Sequence, residues 1–396
     1  MGTMDGKLVL EKGAYTVRGP CVLTVENGSL EVNGGNASRG STILIPQGRS
    51  ALVLVEERAS VETTCKALSR TSREAYTNYR LLALKLCGRR ALLLGPGDSG
   101  KTTLASFTYN ICGNSMLTVD VGQNELFSPA YESLARREGH GKEGTVFIPG
   151  STNTVEAENC FVGAFTPKKA LSRYLTCASR LSRMATSIVV DTDGWLEPWD
   201  GVYSKQALAY SLGTDVTVII GRLPEKIAGW LEAELPGEKL RVKPLAEETM
   251  KTREERRTHR ERLLARLLAG AKLYSIPLEP QRVEGAPILV GQRIDLGEPG
   301  VLYAEEAPGI GLIVVYRRGW RNTRKTGSVK VLEDGWERGL IAHVECADNS
   351  GVPGVVKRIL YSKGRIQVYT TCRPEKIVLG RDRVSLAVLG TTENAG

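Results

Sequence analysis

The stretch Gly95-Pro96-Gly97-Asp98-Ser99-Gly100-Lys101-Thr102, with Thr103 behind it, decides how this chain is read. It fits the spacing G-x-x-x-x-G-K-[ST]. An apolar run at 91–94 precedes it, and a helical stretch at 102–111 follows. The glycines let backbone N–H groups turn inward around a phosphate, and the helix N-terminus adds partial positive charge. Lys101 can reach β- and γ-phosphates, and the Thr102 hydroxyl can hold Mg²⁺. The stretch therefore predicts a site for a nucleoside triphosphate at the carboxyl end of a strand.

Outward from that loop, apolar runs at 116–119, 145–148, 187–190 and 216–220 alternate with helical patterns at 102–111, 167–184 and 204–212. Runs apolar on both faces, joined by helices, predict a parallel sheet wrapped on both sides. This α/β P-loop core is assigned to residues 83–278. Residues 1–82 carry short alternating runs separated by Gly- and Asn-rich turns, the pattern of a β-sandwich. Residues 279–396 are again β-rich, with strands expected at 287–290, 311–316, 340–344, 364–370 and 384–389. The fold expected is thus a P-loop core flanked by N-terminal and C-terminal β domains.

The composition fits a globular chain, with 41% hydrophobic and 24% charged residues. No apolar run approaches the length of a membrane helix, and residues 1–10 lack a secretory pattern. These features predict a cytoplasmic protein, nuclear if the source is eukaryotic, with no membrane partner. Lys and Arg number 53 against 44 acids, a net charge of +9, which is compatible with a polyanionic partner. Eight cysteines show no C-x-x-C pair, and the three histidines stand apart, so free buried thiols are expected rather than zinc or disulfides.

Four further segments carry candidate chemistry. Asp120-Val121-Gly122-Gln123 ends the next apolar run, where an acid lies on the ligand side of a parallel sheet. Asp120 could orient Mg²⁺ or accept a hydroxyl proton; Gln123 is a polar group without an evident core role. Thr166-Pro167 opens a helical stretch and also reads as a simple cap. Asp191-Thr192-Asp193-Gly194-Trp195 follows another apolar run. Trp195 could stack a base, and Asp191 has the position of an acid that holds Mg²⁺ water. Finally, residues 247–268 read as one charged helix. Arg253, Arg257 and Arg260 share a face there and could cover a γ-phosphate as a lid.

Together these motifs resemble the polynucleotide 5′-hydroxyl kinase family, which includes the RNA kinase of the pre-mRNA cleavage factor and the ribosomal-RNA-processing kinases. Gly95 to Thr102 fits that family's loop, Asp120 to Gln123 its D-x-G-Q, and Thr166-Pro167 its clasp on the terminal nucleotide. Asp191 to Trp195 fits its N-T-x-G-W, with Asp191 where Asn is usual. The compact length is similar to archaeal forms. The resemblance implies transfer of the γ-phosphate of ATP or GTP to the 5′-OH of RNA, with DNA as the other candidate strand. It implies Lys101, Asp120, Arg253, Arg257 and Arg260 in catalysis, Thr102 and Asp120 toward Mg²⁺, and Gln123, Thr166, Pro167 and Trp195 on the terminal nucleotide. The basic stretch Arg317-Arg318-Gly319-Trp320-Arg321 through Arg324-Lys325 could hold the RNA body. A nucleotide-bound scaffold subunit of an RNA-processing complex is the alternative. A GTPase-type switch is disfavoured by the short interval to Asp120, and a small-molecule kinase by the charge and the flanking β domains.

Overall fold

The computed structural model describes residues 6–136, 146–151, 157–197, 199–244, 252–317 and 328–389. Packing divides the chain into two compact units. The first comprises Met1–Phe127, Tyr131–Cys160 and Thr166–Arg253; the second comprises Ser128–Ala130, Phe161–Phe165 and Glu254–Gly396.

The first unit is organised by a seven-stranded sheet. Its strands are β1 (Arg90–Leu94), β2 (Ser115–Thr118), β3 (Tyr131–Ala135), β4 (Ala157–Phe161), β5 (Ile188–Asp191), β6 (Val216–Ile220) and β7 (Glu238–Val242). The order is β4-β3-β2-β5-β1-β6-β7. The strands from β2 to β7 in that order run parallel. Strand β3 pairs antiparallel to β2, which corrects the all-parallel expectation at this edge. The reason is the connection: residues 119–130 contain no helix, and a parallel crossover normally needs one.

Side chains alternate along β1, so each face needs its own cover. Ala91 and Leu93 pack with Tyr76 and Tyr79 of α1 (Arg73–Lys85) and with Leu104 and Phe107 of α2 (Lys101–Cys112). Leu92 and Leu94 point to the opposite face and are equally buried. Helix α3 (Leu171–Ser182) packs on β3 and on α4 (Trp199–Leu212), which in turn meets α5 (Glu225–Glu234). Reading residues 1–82 as wholly β misses α1. Its buried residues Tyr76, Tyr79, Leu82 and Ala83 recur at helical spacing, and Ser72 caps its first turn by accepting from the Ala75 N–H.

Ahead of α1 lie two antiparallel sheets, of four and five strands. Strand Cys21–Asn27 alternates buried and partly buried residues, as a sandwich strand should. The sandwich core includes Val17, Leu23, Val53 and Val61, joined by Val146 and Ile148 from farther along the chain. The expected strand at 145–148 is therefore not a strand where described. Its apolar side chains serve the sandwich core as irregular chain, and residue 145 lies outside the described residues.

The second unit holds a six-stranded and a four-stranded sheet. Helix α6 (Arg253–Leu267) begins at the boundary between the units. Its Leu263 and Leu264 are buried, and Leu264 packs with Ala130, Ile341, Val355 and Val384. Residues 287–290 form no strand, and the apolar run at 384–389 ends in a short 3₁₀ turn, Leu386–Leu389. Residues 247–251 of the expected lid and 318–325 of the basic stretch lie outside the described residues. Among the described residues no helix is long and apolar enough to cross a membrane.

The expectation of free thiols is overturned. All eight cysteines pair, as Cys21–Cys65, Cys87–Cys112, Cys160–Cys177 and Cys346–Cys372. Every pair is separated by 17 or more positions, so only the folded chain brings the partners together. Cys87–Cys112 joins the ends of α1 and α2, two helices already packed on each other.

Candidate active site

The loop after β1 has the backbone its sequence demands. Gly95 packs so closely under β6 that a Cβ would fall 2.2 Å from the Ile220 carbonyl oxygen. Asp98 and Gly100 take positive φ of 63° and 97°, which turns the chain back on itself before α2. Ser99 is buried, and among the described residues its hydroxyl has no hydrogen-bond partner. A buried hydroxyl without a partner, in a glycine-rich loop that runs into a helix N-terminus, suits a phosphate oxygen.

Lys101 is the first residue of α2 and only 5% exposed. Its ammonium donates to the carbonyls of Gly95 at 2.9 Å and Pro96 at 2.6 Å. Burial lowers its pKa, while Asp191, Asp120 and Asp193 act to keep it charged. The next residue, Thr102, donates its hydroxyl hydrogen to Asp191 Oδ2 at 2.7 Å. Asp191 ends β5, the strand directly beside β1, with Leu93 as its register partner. Its other oxygen, Oδ1, is buried without a partner among the described residues. Burial raises the Asp191 carboxyl to about 6, against Lys101 and Thr102, which pull it down.

Asp120 follows β2, on the far side of β5 from β1. Its Oδ1 accepts from the N–H groups of Gly122 at 3.0 Å and Gln123 at 3.1 Å. This turn fixes the carboxylate at the strand end and leaves Oδ2 for other partners. Burial and Asp193 raise its pKa, with Lys101 and the two N–H groups acting downward.

The residues fit Mg²⁺ bound with phosphate. Thr102, Asp191 and Asp120 offer hard oxygen donors, and Asp191 Oδ1 is a buried carboxylate oxygen without a partner among the described residues. Among the described residues no group of three or more His, Cys, Asp or Glu could hold a metal ion alone. Mg²⁺ suits such a place because it takes much of its shell from water and substrate phosphate. The motifs pair Thr102 with Asp120 and leave Asp191 open; in the structure Asp191 accepts from the Thr102 hydroxyl.

The segment after Asp191 is held by a buried ion pair. Lys205 of α4 is fully buried and meets Asp193 Oδ2 at 2.5 Å, with the Tyr174 hydroxyl donating to the same oxygen at 3.2 Å. Asp193 Oδ1 accepts from the Trp195 N–H at 2.8 Å. Gly194 lies against the loop itself: a Cβ there would fall 2.5 Å from the Gly97 nitrogen. Half-buried Trp195 packs on Gly201, where a Cβ would meet its indole at 3.1 Å. The Trp195 turn and the phosphate loop are thus one packed assembly.

Thr166 precedes the short 3₁₀ turn Pro167–Lys169, and its side chain makes no capping bond, so the capping role open to it in the sequence is not realised. In the second unit Arg260 lies over the Phe165 ring at 5.2 Å, and Arg257 pairs with Glu261 at 3.5 Å. Arg253 is exposed at the start of α6.

Sequence reasoning missed two groups. Arg49, on the sandwich loop between strands Thr42–Ile45 and Ser50–Val55, reaches Glu125 at 2.5 Å. Nothing in its local sequence distinguishes it from other surface arginines. Glu132 of β3 is fully buried with both carboxylate oxygens unpartnered among the described residues, and burial raises its pKa far above the usual range. An acid in the fully buried strand Tyr131–Ala135 was the only signal for it.

Residues 95–270 match the family described as mRNA cleavage and polyadenylation factor CLP1 P-loop. A polyribonucleotide 5′-hydroxyl-kinase of Methanocaldococcus jannaschii is 26% identical over 216 residues, covering 52% of this chain. The chain spans 57% of that relative's length. Among solved structures, Clp1p in its complex with Pcf11p superposes with a TM-score of 0.62 at 12% identity, covering 97% of this chain and 99% of Clp1p. A second Clp1p structure, of its extended interface with Pcf11p, gives a TM-score of 0.60 at 13% identity, covering 95% and 98%. These likenesses support a P-loop kinase core with flanking β-rich domains. The loop motif, the family match over residues 95–270 and the sequence relative agree: this part of the chain is similar to the CLP1 P-loop proteins and to a polyribonucleotide 5′-hydroxyl-kinase.

Proposed function

We propose that the chain is a polynucleotide 5′-hydroxyl kinase that moves the γ-phosphate of ATP, or GTP, to the 5′-OH end of RNA. The observation that carries this reading is the meeting of Lys101, Thr102 and Asp191 beside Asp120, at the carboxyl ends of β1, β5 and β2. In the transfer, a bond forms between the 5′-oxygen and the γ-phosphorus. The bond from that phosphorus to the β,γ-bridging oxygen breaks, and the hydroxyl proton passes to Asp120 Oδ2.

Lys101 exchanges its loop carbonyls for the β- and γ-phosphate oxygens as the loop amides close on the triphosphate. Thr102, Asp191 and Asp120 would hold Mg²⁺, which when bound neutralises charge on the phosphates. Gln123, Thr166, Pro167 and Trp195 hold the terminal nucleotide, with Trp195 stacking a base. Arg253, Arg257 and Arg260 cover the γ-phosphate and exclude water, which would otherwise compete as acceptor. Contact with one end nucleotide selects for ends rather than for sequence.

The reading is tested by incubating the protein with Mg²⁺ and γ-labelled ATP or GTP, offering 5′-OH RNA and DNA of one sequence in parallel. Label on RNA ends supports it. Tight nucleotide retention with no labelled end would point to the scaffold role instead.

A further inference from the structure

The turn that carries Asp120 is tied down in three places. Asp120 Oδ1 holds the N–H groups of Gly122 and Gln123. Asn124 Oδ1 accepts from the Leu126 and Phe127 N–H groups at 3.0 and 3.3 Å, and its amide donates to the Tyr131 carbonyl and the Ser133 hydroxyl. These bonds join the turn to itself and to β3. The third tie comes from the sandwich: Glu125, 7% exposed, receives the Arg49 guanidinium at 2.5 Å.

Both ends of that tie are firm. The Arg49 N–H donates to the Pro46 carbonyl at 3.1 Å, and the Arg49 carbonyl accepts from Gly19 at 2.9 Å. Gly150 walls the pair in: a Cβ there would fall 2.8 Å from Glu125 Oε2 and 3.4 Å from the Pro46 ring. Burial works against the Arg49 charge, yet Glu125, with Asp191 and Asp120 beyond it, holds the guanidinium pKa above its ordinary value. The pair is therefore a fixed cation bridge from the sandwich to the strand end where Asp120 sits.

We propose that Arg49 is a positioning residue for phosphoryl transfer: through Glu125 it fixes the 120–125 turn and so the angle at which Asp120 meets the acceptor hydroxyl. The proposal rests on the kinase reading above. It gives the N-terminal sandwich a part in the reaction, since its loop ties this turn from a residue 76 positions away in the chain. A displacement of about 1 Å in a reacting group can cost on the order of 100-fold in rate, so a tie that touches no substrate can still govern turnover.

The test measures transfer from ATP to a 5′-OH oligoribonucleotide by the full chain, with melting temperature read on every variant. The set is wild type, Arg49→Lys, Arg49→Gln, Glu125→Gln and the Arg49→Gln/Glu125→Gln double variant. The expected result is a fall in kcat of roughly 10- to 100-fold in either Gln variant, with KM for ATP changed less than about threefold. The double variant is no worse than the poorer single one, because both remove the same tie, and Arg49→Lys recovers part of the loss. A folded Arg49→Gln with kcat within about twofold of wild type overturns the proposal. So does a rise in KM for ATP at unchanged kcat, which would make Arg49 a nucleotide contact. If Arg49→Gln does not fold, folded Arg49→Lys and Glu125→Gln variants with wild-type kcat overturn it. Absence of transfer by the wild type overturns the kinase reading, and the proposal with it; transfer that the variants leave unaltered overturns the proposal alone.

Discussion

The Thr102 hydroxyl and the Asp191 carboxylate are hydrogen-bonded at 2.7 Å, joining the first turn of α2 to the end of β5. This bond puts an acid beside the phosphate loop on the strand next to β1. Thr118 of β2 pairs with the same Asp191, so Asp120 lies two residues beyond that register point on the far side. The acids at 120 and 191 therefore stand at the ends of neighbouring strands.

Gly194 touches the loop backbone, and this contact gives a sharp prediction. Gly194→Ala adds a methyl 2.5 Å from the Gly97 nitrogen, which must push the Trp195 turn and the phosphate loop apart. Nucleotide affinity should fall at least ~10-fold by titration calorimetry, since one relocated loop amide forfeits a charge-assisted hydrogen bond. Gly229→Ala in α5, with nothing within 4 Å, should leave affinity unchanged and add about 0.5–1 kcal/mol of stability.

The buried carboxyl groups of Asp193 and Glu132 differ in whether a cation meets them, and two substitutions should separate them. Lys205→Met removes the cation that Asp193 meets in a buried site and should cost about 3–5 kcal/mol by denaturant unfolding. Glu132→Gln should change stability by less than about 1 kcal/mol, because burial works against the charged form of that carboxyl and the amide is a neutral group of the same shape. A large loss in Glu132→Gln would mean that Glu132 is ionised and paired.

Asp191 predicts a pH dependence for the metal-free protein. The folded chain keeps this proton up to about pH 6, whereas the ordinary aspartate value is 3.8. Between those values the folded form binds more protons, so the stability is full at low pH and is lost as pH rises through 6. From pH 4 to pH 8 the loss from this group is roughly 2 kcal/mol. Asp191→Asn should remove that slope in magnesium-free melting curves. An unchanged slope would place the titration elsewhere.

Much of this arrangement was legible in the residues. The loop at 95–102 announced itself through glycine spacing and its strand–helix context, and Asp120 and Asp191 followed from lying at ends of apolar runs. What was not legible depends on tertiary packing. Strand β3, Tyr131–Ala135, is buried yet carries Glu132 and Ser133, so no apolar run marks it. The 145–148 run is apolar because it fills the sandwich core, not because it pairs in a sheet. Arg49 acts on a residue 76 positions away, a distance over which local pattern carries no information.

The four disulfides set a further expectation. Each closes a loop of 17 to 44 positions, the range in which a cross-link stabilises by about 2–4 kcal/mol, chiefly by restricting the unfolded chain. Reduction should lower the melting temperature by several degrees, and Cys87→Ser/Cys112→Ser alone should reproduce part of that shift. Thiol titration of the unfolded, unreduced protein should find no free cysteine. Eight free thiols would refute the pairing.

The most direct test of the central claim is transfer of labelled γ-phosphate to matched RNA strands ending in 5′-OH or in 5′-phosphate, by the wild type and by Lys101→Ala. The account predicts label on the 5′-OH strand alone, with none from Lys101→Ala, whose melting curve stays close to wild type. Label released only as free phosphate, or transfer that survives loss of the Lys101 ammonium, would contradict it.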